Sequence, residues 1–102
     1  MHVTLDCEKL SSRRPAHAYL QDALGFPEYY GKNLDALFDC LTGLPDCTIV
    51  LRGRDELARS GGYGARILAV LEDAARANPR LTLESGEAGD DRTQLSRLNE
   101  SI

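Results

Sequence analysis

Two aspartates one helical turn apart, Asp35 and Asp39, are the residues whose type and spacing most suggest chemistry. They lie in the run Asn33-Leu34-Asp35-Ala36-Leu37-Phe38-Asp39-Cys40-Leu41-Thr42-Gly43. At about 100° per residue, Leu34, Leu37, Phe38 and Leu41 form one apolar stripe, and Asp35, Asp39 and Thr42 cluster roughly 110–120° away from it. The two carboxylates therefore project side by side. Like charges at this spacing cost a helix roughly 0.2–0.5 kcal/mol. Asp35 sits in the first turn, where the helix dipole favours an anion. Asp39 is mid-helix and gains nothing of the kind, and uncompensated local costs are a mark of functional sites. Tyr29 and Tyr30 come just before the helix; tyrosine gives rigid contact area with a polar tip, common at recognition surfaces. The pattern suggests an acidic protein-binding patch. The competing reading is an ordinary solvated helix flank, with one tyrosine capping the core.

The other reactive residue types do not assemble into a catalytic pattern. Cys7, Cys40 and Cys47 are odd in number and widely spaced, unlike a zinc pattern or a disulfide framework. No Cys has a His at a spacing that would activate it. His2 falls on the outward face of a strand, and His17, beside alanines, reads as a surface or boundary residue. Ser60-Gly61-Gly62-Tyr63-Gly64 lacks the Lys-Ser/Thr of a phosphate loop and reads as a flexible hinge. No catalytic residue, metal, cofactor or small-molecule substrate is assigned.

The elements that must carry the patch follow from periodicity. Alternation over 2–7, with Val3, Leu5 and Cys7 on one face, predicts a strand. Ala16, Tyr19, Leu20, Ala23 and Leu24 follow helical spacing and stop at Gly25. A Pro/Gly-bounded loop, 26–32, leads to Asn33, a good N-cap for the acidic helix. Gly43 and Pro45 end that helix. Thr48-Ile49-Val50-Leu51 reads as a strand buried on both faces. Asp55 to Ala58 reads as one helical turn, Ala65 to Ala77 as the longest helix, and Leu81-Thr82-Leu83 as a third strand. Helices between strands require crossovers, hence an α/β fold with a small parallel sheet of three strands and three to four helices.

Composition sets the frame. The chain has 102 residues, 42% hydrophobic and 27% charged, which suits one globular domain. No apolar run approaches the roughly 20 residues of a membrane span, and no secretory signal precedes the first strand. The net charge of −4 argues against a nucleic-acid partner. Residues 27–47 carry −3, 48–83 carry +2 and 84–102 carry −3. The unpaired thiols suggest a reducing cytoplasm. Residues 1–84 read as the domain, and 85–102 as an acidic C-terminal extension, partly disordered or a short helix.

Residues 26–43, Phe-Pro-Glu-Tyr-Tyr-Gly-Lys-Asn-Leu-Asp-Ala-Leu-Phe-Asp-Cys-Leu-Thr-Gly, resemble the signature of the barstar family of intracellular ribonuclease inhibitors. The resemblance extends more weakly over 2–84. It implies a three-stranded parallel sheet covered on one side by helices, and a one-to-one complex with a secreted bacterial ribonuclease, barnase-like or guanyl-specific. It further implies that Tyr29 lies over the enzyme's catalytic groups, that Asp35 and Asp39 meet its cations, and that Asp39 enters the phosphate subsite. Thr42, Gly43 and Leu44 would continue the contact, with Asp73 at its edge. Tyr30, Asn33 and Phe38 complete the partner-binding set. A carboxylate can replace a phosphate oxygen through charge-assisted Arg contacts, yet offers no bond to cleave. Three positions depart from the family pattern: Lys32 stands where it has Glu, and Phe38 and Leu44 where it has Trp. The same fold could instead serve as an immunity or regulatory module for another toxin. A small enzyme is the remaining reading.

Overall fold

The computed structural model describes residues 1–86. Strand β1 (His2–Asp6) runs into a short 3-10 turn (Cys7–Leu10) and helix α1 (Arg13–Leu24). Helix α2 (Leu34–Thr42) follows, then β2 (Cys47–Arg52), α3 (Arg54–Ser60), α4 (Gly62–Ala77) and β3 (Leu81–Gly86). The strands are parallel in the order β1-β2-β3, with Val3 opposite Ile49 and Ile49 opposite Leu83. This is the small α/β sheet that the periodicity predicts.

Alternation along the strands separates the two faces of the sheet. Leu5, Cys47, Ile49, Leu51 and Leu81 are buried, whereas His2, Thr4, Thr82 and Glu84 are exposed. The reading of β2 as buried on both faces is corrected here. Thr48 and Val50 are only half-buried, because the helices cover one face alone. Leu10, Leu20, Leu37, Leu41, Ile67 and Leu71 fill the space between that face and the helices, each fully buried. Burying one such side chain stabilises the fold by about 1.5–3 kcal/mol.

Two further expectations change. The Ser60–Gly64 hinge shrinks to Gly61 alone, because α4 begins at Gly62. Two consecutive positive φ angles, 69° at Gly61 and 64° at Gly62, make this sharp joint. Gly64, just inside α4, packs so closely that a Cβ there would lie 2.3 Å from Leu57 Cδ1 and 3.1 Å from the Leu10 carbonyl oxygen. The third strand, read from sequence as Leu81 to Leu83, runs on to Gly86, which lies opposite Arg52. The remainder of the expected extension, 87–102, lies outside the described residues. Among the described residues, no helix is long and apolar enough to cross a membrane.

Candidate functional site

Helix α2 is the element on which the candidate residues converge. Its N-cap forms as expected: Asn33 Oδ1 accepts from the Ala36 amide at 2.7 Å. The approach is tight. A Cβ on Gly31 would lie 3.2 Å from Ala36 Cβ, and Lys32 adopts φ 56°. That left-handed conformation costs an L-residue roughly 1–2 kcal/mol, and it falls directly beside the acidic edge. Leu37 and Leu41 are buried on the side of α2 that packs against α4. Asp35 and Asp39 are exposed on its flank. Phe38 is half-buried against the core, so part of its ring reaches the surface.

The C-terminal end of α2 is ordered by polar contacts. Thr42 Oγ1 donates to the Asp39 carbonyl at 3.1 Å. The Gly43 amide donates to the Cys40 carbonyl at 3.3 Å, and the Leu44 amide to that of Leu41 at 3.2 Å. Beneath this turn lies Asn78, 6% exposed. Its Nδ2 donates to the carbonyls of Leu41 and Leu44 at 3.0 and 3.2 Å, and its Oδ1 accepts from the Arg80 amide at 3.0 Å. The sequence shows Asn78-Pro79 only as a helix stop. An Asn side chain bonding two residues onward is a recognisable turn signal, but its reach to α2, more than thirty residues away, is not.

The two tyrosines divide. Tyr29 is 88% exposed, while Tyr30 is 5% exposed and belongs to the core. Tyr30, named from sequence in the partner-binding set, thus packs inside the domain beneath the loop that carries Tyr29. Its hydroxyl lies 2.6 Å from His17 Nδ1, and its ring packs on Phe26 with centroids 5.0 Å apart. The loop is pinned besides by Gln21 Nε2 and the Tyr30 amide, which both donate to the Pro27 carbonyl. His17 is corrected: it is fully buried rather than at the surface, with Nε2 at 2.7 Å from the Tyr63 hydroxyl. A neutral imidazole has one donor and one acceptor nitrogen, and the two phenols satisfy both. Burial first, and then the Arg13 charge, hold its pKa below the usual histidine value.

Asp73 does not stand free; it forms an ion pair with Arg76 one turn along α4. Asn33 is engaged as a cap, while Gly43 is exposed and Leu44 half-buried at the exit of α2. The structure thus gathers Asp35, Phe38, Asp39, Thr42, Gly43 and Leu44 along one helix and its exit, with Tyr29 on the preceding loop. The cysteines are free, Cys7 and Cys47 buried and Cys40 half-buried. Burial, reinforced by Asp6, pushes the Cys7 thiol up to about 11, away from the thiolate a nucleophile needs. Among the described residues, no group of His, Cys, Asp and Glu could hold a metal ion.

This small α/β domain presents two carboxylates on a pinned helix and an exposed tyrosine on the loop before it. Comparison with known proteins shows its family. The family model described as Barstar (barnase inhibitor) matches residues 1–93. A Bacillus subtilis (strain 168) protein named "Putative ribonuclease inhibitor YrdF" is 40% identical over 76 residues, covering 71% of this chain and 82% of that protein. The chain belongs to the barstar family, whose members are ribonuclease inhibitors rather than enzymes.

Proposed function

We propose that this chain inhibits a small secreted bacterial ribonuclease, barnase-like or guanyl-specific, in a one-to-one complex. Asp39 enters the cationic site that holds the RNA phosphate, Asp35 meets neighbouring cations, and Tyr29 covers the catalytic groups. The observation that carries this reading is the exposed mid-helix Asp39 on a helix fixed at both ends, by the Asn33 cap and by Asn78. A ribonuclease must gather cations to bind a phosphodiester, and a carboxylate on a helix meets them with little freedom left to lose. Thr42, Gly43 and Leu44 extend the contact, with Phe38 bordering it. The free thiols suit a cytoplasmic protein guarding its own cell from the enzyme before export.

The test is a titration of enzyme activity. Increasing amounts of the chain, added to a fixed concentration of each of several small secreted bacterial ribonucleases, abolish the activity of the partner at one equivalent. Full activity of every enzyme at saturating protein contradicts the reading.

A further inference from the structure

Asp35 lies on the acidic edge, but it also borders a shallow cleft of about 290 Å³ lined by Arg13, Asn33, Leu34, Tyr63 and Arg66. Arg13 opens α1, Leu34 and Asp35 open α2, and Tyr63 and Arg66 lie in the first turns of α4. Both arginines are exposed, and the two ion pairs of the described residues, Arg54–Glu72 and Arg76–Asp73, involve neither. Two arginines and a single acid therefore line one small cleft. The Arg13 charge is felt as far as the His17 ring. Lys32, exposed two residues before α2, adds a third cation to this end. The inhibitor face is thus not uniformly acidic: Asp39 lies at its negative part, and the entrance to α2 is positive.

We propose that the Arg13–Arg66 cleft is a second contact of the inhibitor face, receiving a carboxylate of the ribonuclease beside the cationic site that takes Asp39. This rests on the inhibitor reading above. Guanidinium groups bind carboxylates through paired, charge-assisted hydrogen bonds. Asp35 decides between possible anions. In the free chain it repels a free phosphate from the cleft. In the complex an enzyme cation takes Asp35, which leaves the arginines to an acid on the enzyme rim. Alternating charge also fixes register and selects partners, because a ribonuclease with a wholly cationic rim would press its cations against Arg13 and Arg66.

The experiment compares wild type with Arg13→Glu, Arg66→Glu and the double variant, against every ribonuclease that wild type inhibits. Affinity is read by calorimetric titration and folding by urea unfolding. Each single reversal weakens binding at least about tenfold, equivalent to about 1.4 kcal/mol. Inhibition remains complete at saturating protein, and the unfolding midpoint stays at the wild-type value. Unchanged or tighter binding by the double variant overturns the proposal, since the cleft then faces nothing or faces cations. Binding of a single-stranded RNA oligonucleotide or of inorganic phosphate by the free wild-type chain, lost in the double variant, also overturns it by assigning the cleft to another anion. If wild type inhibits no ribonuclease of the panel, the inhibitor reading itself fails, and this proposal with it.

Discussion

The side-chain amide of Asn78 donates to the carbonyl of Leu44 across 3.2 Å, tying the end of α4 to the exit of α2. The same Nδ2 holds the Leu41 carbonyl, so one buried side chain satisfies two acceptors where the acidic helix ends. The turn that carries Thr42 and Gly43 is thereby fixed by a residue more than thirty positions along the chain.

Removing that amide tests its part in the fold. Asn78→Ala removes the side-chain hydrogen bonds to the Leu41 and Leu44 carbonyls, each contributing about 0.5–1.5 kcal/mol. Asn78→Asp keeps the acceptor for the Arg80 amide but turns a carboxylate toward two carbonyl oxygens, so it costs more. Urea unfolding gives stability in the order wild type, Ala, Asp. An Asp variant as stable as wild type contradicts the assignment.

His17 makes stability fall in acid. The folded chain holds the imidazole neutral among Tyr30, Tyr63 and Arg13, below the unfolded value of about 6.5. Below that pH the unfolded chain binds a proton that the folded chain refuses, so acid favours unfolding. The slope approaches about 1.4 kcal/mol per pH unit and persists down to the folded pKa. Urea unfolding between about pH 5 and 8 shows the decline, and His17→Leu, although less stable, lacks this component of it. The same slope in both proteins would place the effect elsewhere.

What the sequence made legible depends on range. The strands, α1, α2 and the Asn33 cap come from periodicity and local chemistry, and the structure has them. The order β1-β2-β3 and the burial of His17 come from packing between segments, as with the bond from His17 to Tyr63 across 46 positions. Alternation in the chain does not say which of two adjacent tyrosines turns inward, because the loop geometry decides. The Asp35–Asp39 pair was legible since both charges lie on one helix. The Arg13–Arg66 cleft was not, since it joins residues of α1 and α4.

Charge steering gives a kinetic prediction. If the acidic helix meets a cationic site, association slows as salt rises, because the Debye length shrinks from roughly 30 Å at 0.01 M to 3 Å at 1 M. Dissociation changes much less. Stopped-flow association rates with the inhibited ribonuclease over a salt series show the decline, and a flat series indicates an apolar interface instead.

Asp39→Ala is the most direct test of the central claim, measured by urea unfolding together with calorimetric titration against the inhibited ribonuclease. Asp39 is exposed and repels Asp35, so its loss leaves stability at or slightly above the wild-type value. Binding weakens by more than about 2 kcal/mol, the scale of an interface hot spot. Leu37→Ala, fully buried on the same helix, serves as the opposite control and costs about 2–5 kcal/mol of stability. Intact folding with strongly weakened binding is the result expected of a carboxylate that takes the place of phosphate. An Asp39→Ala protein that unfolds, or that binds as tightly as wild type, contradicts it.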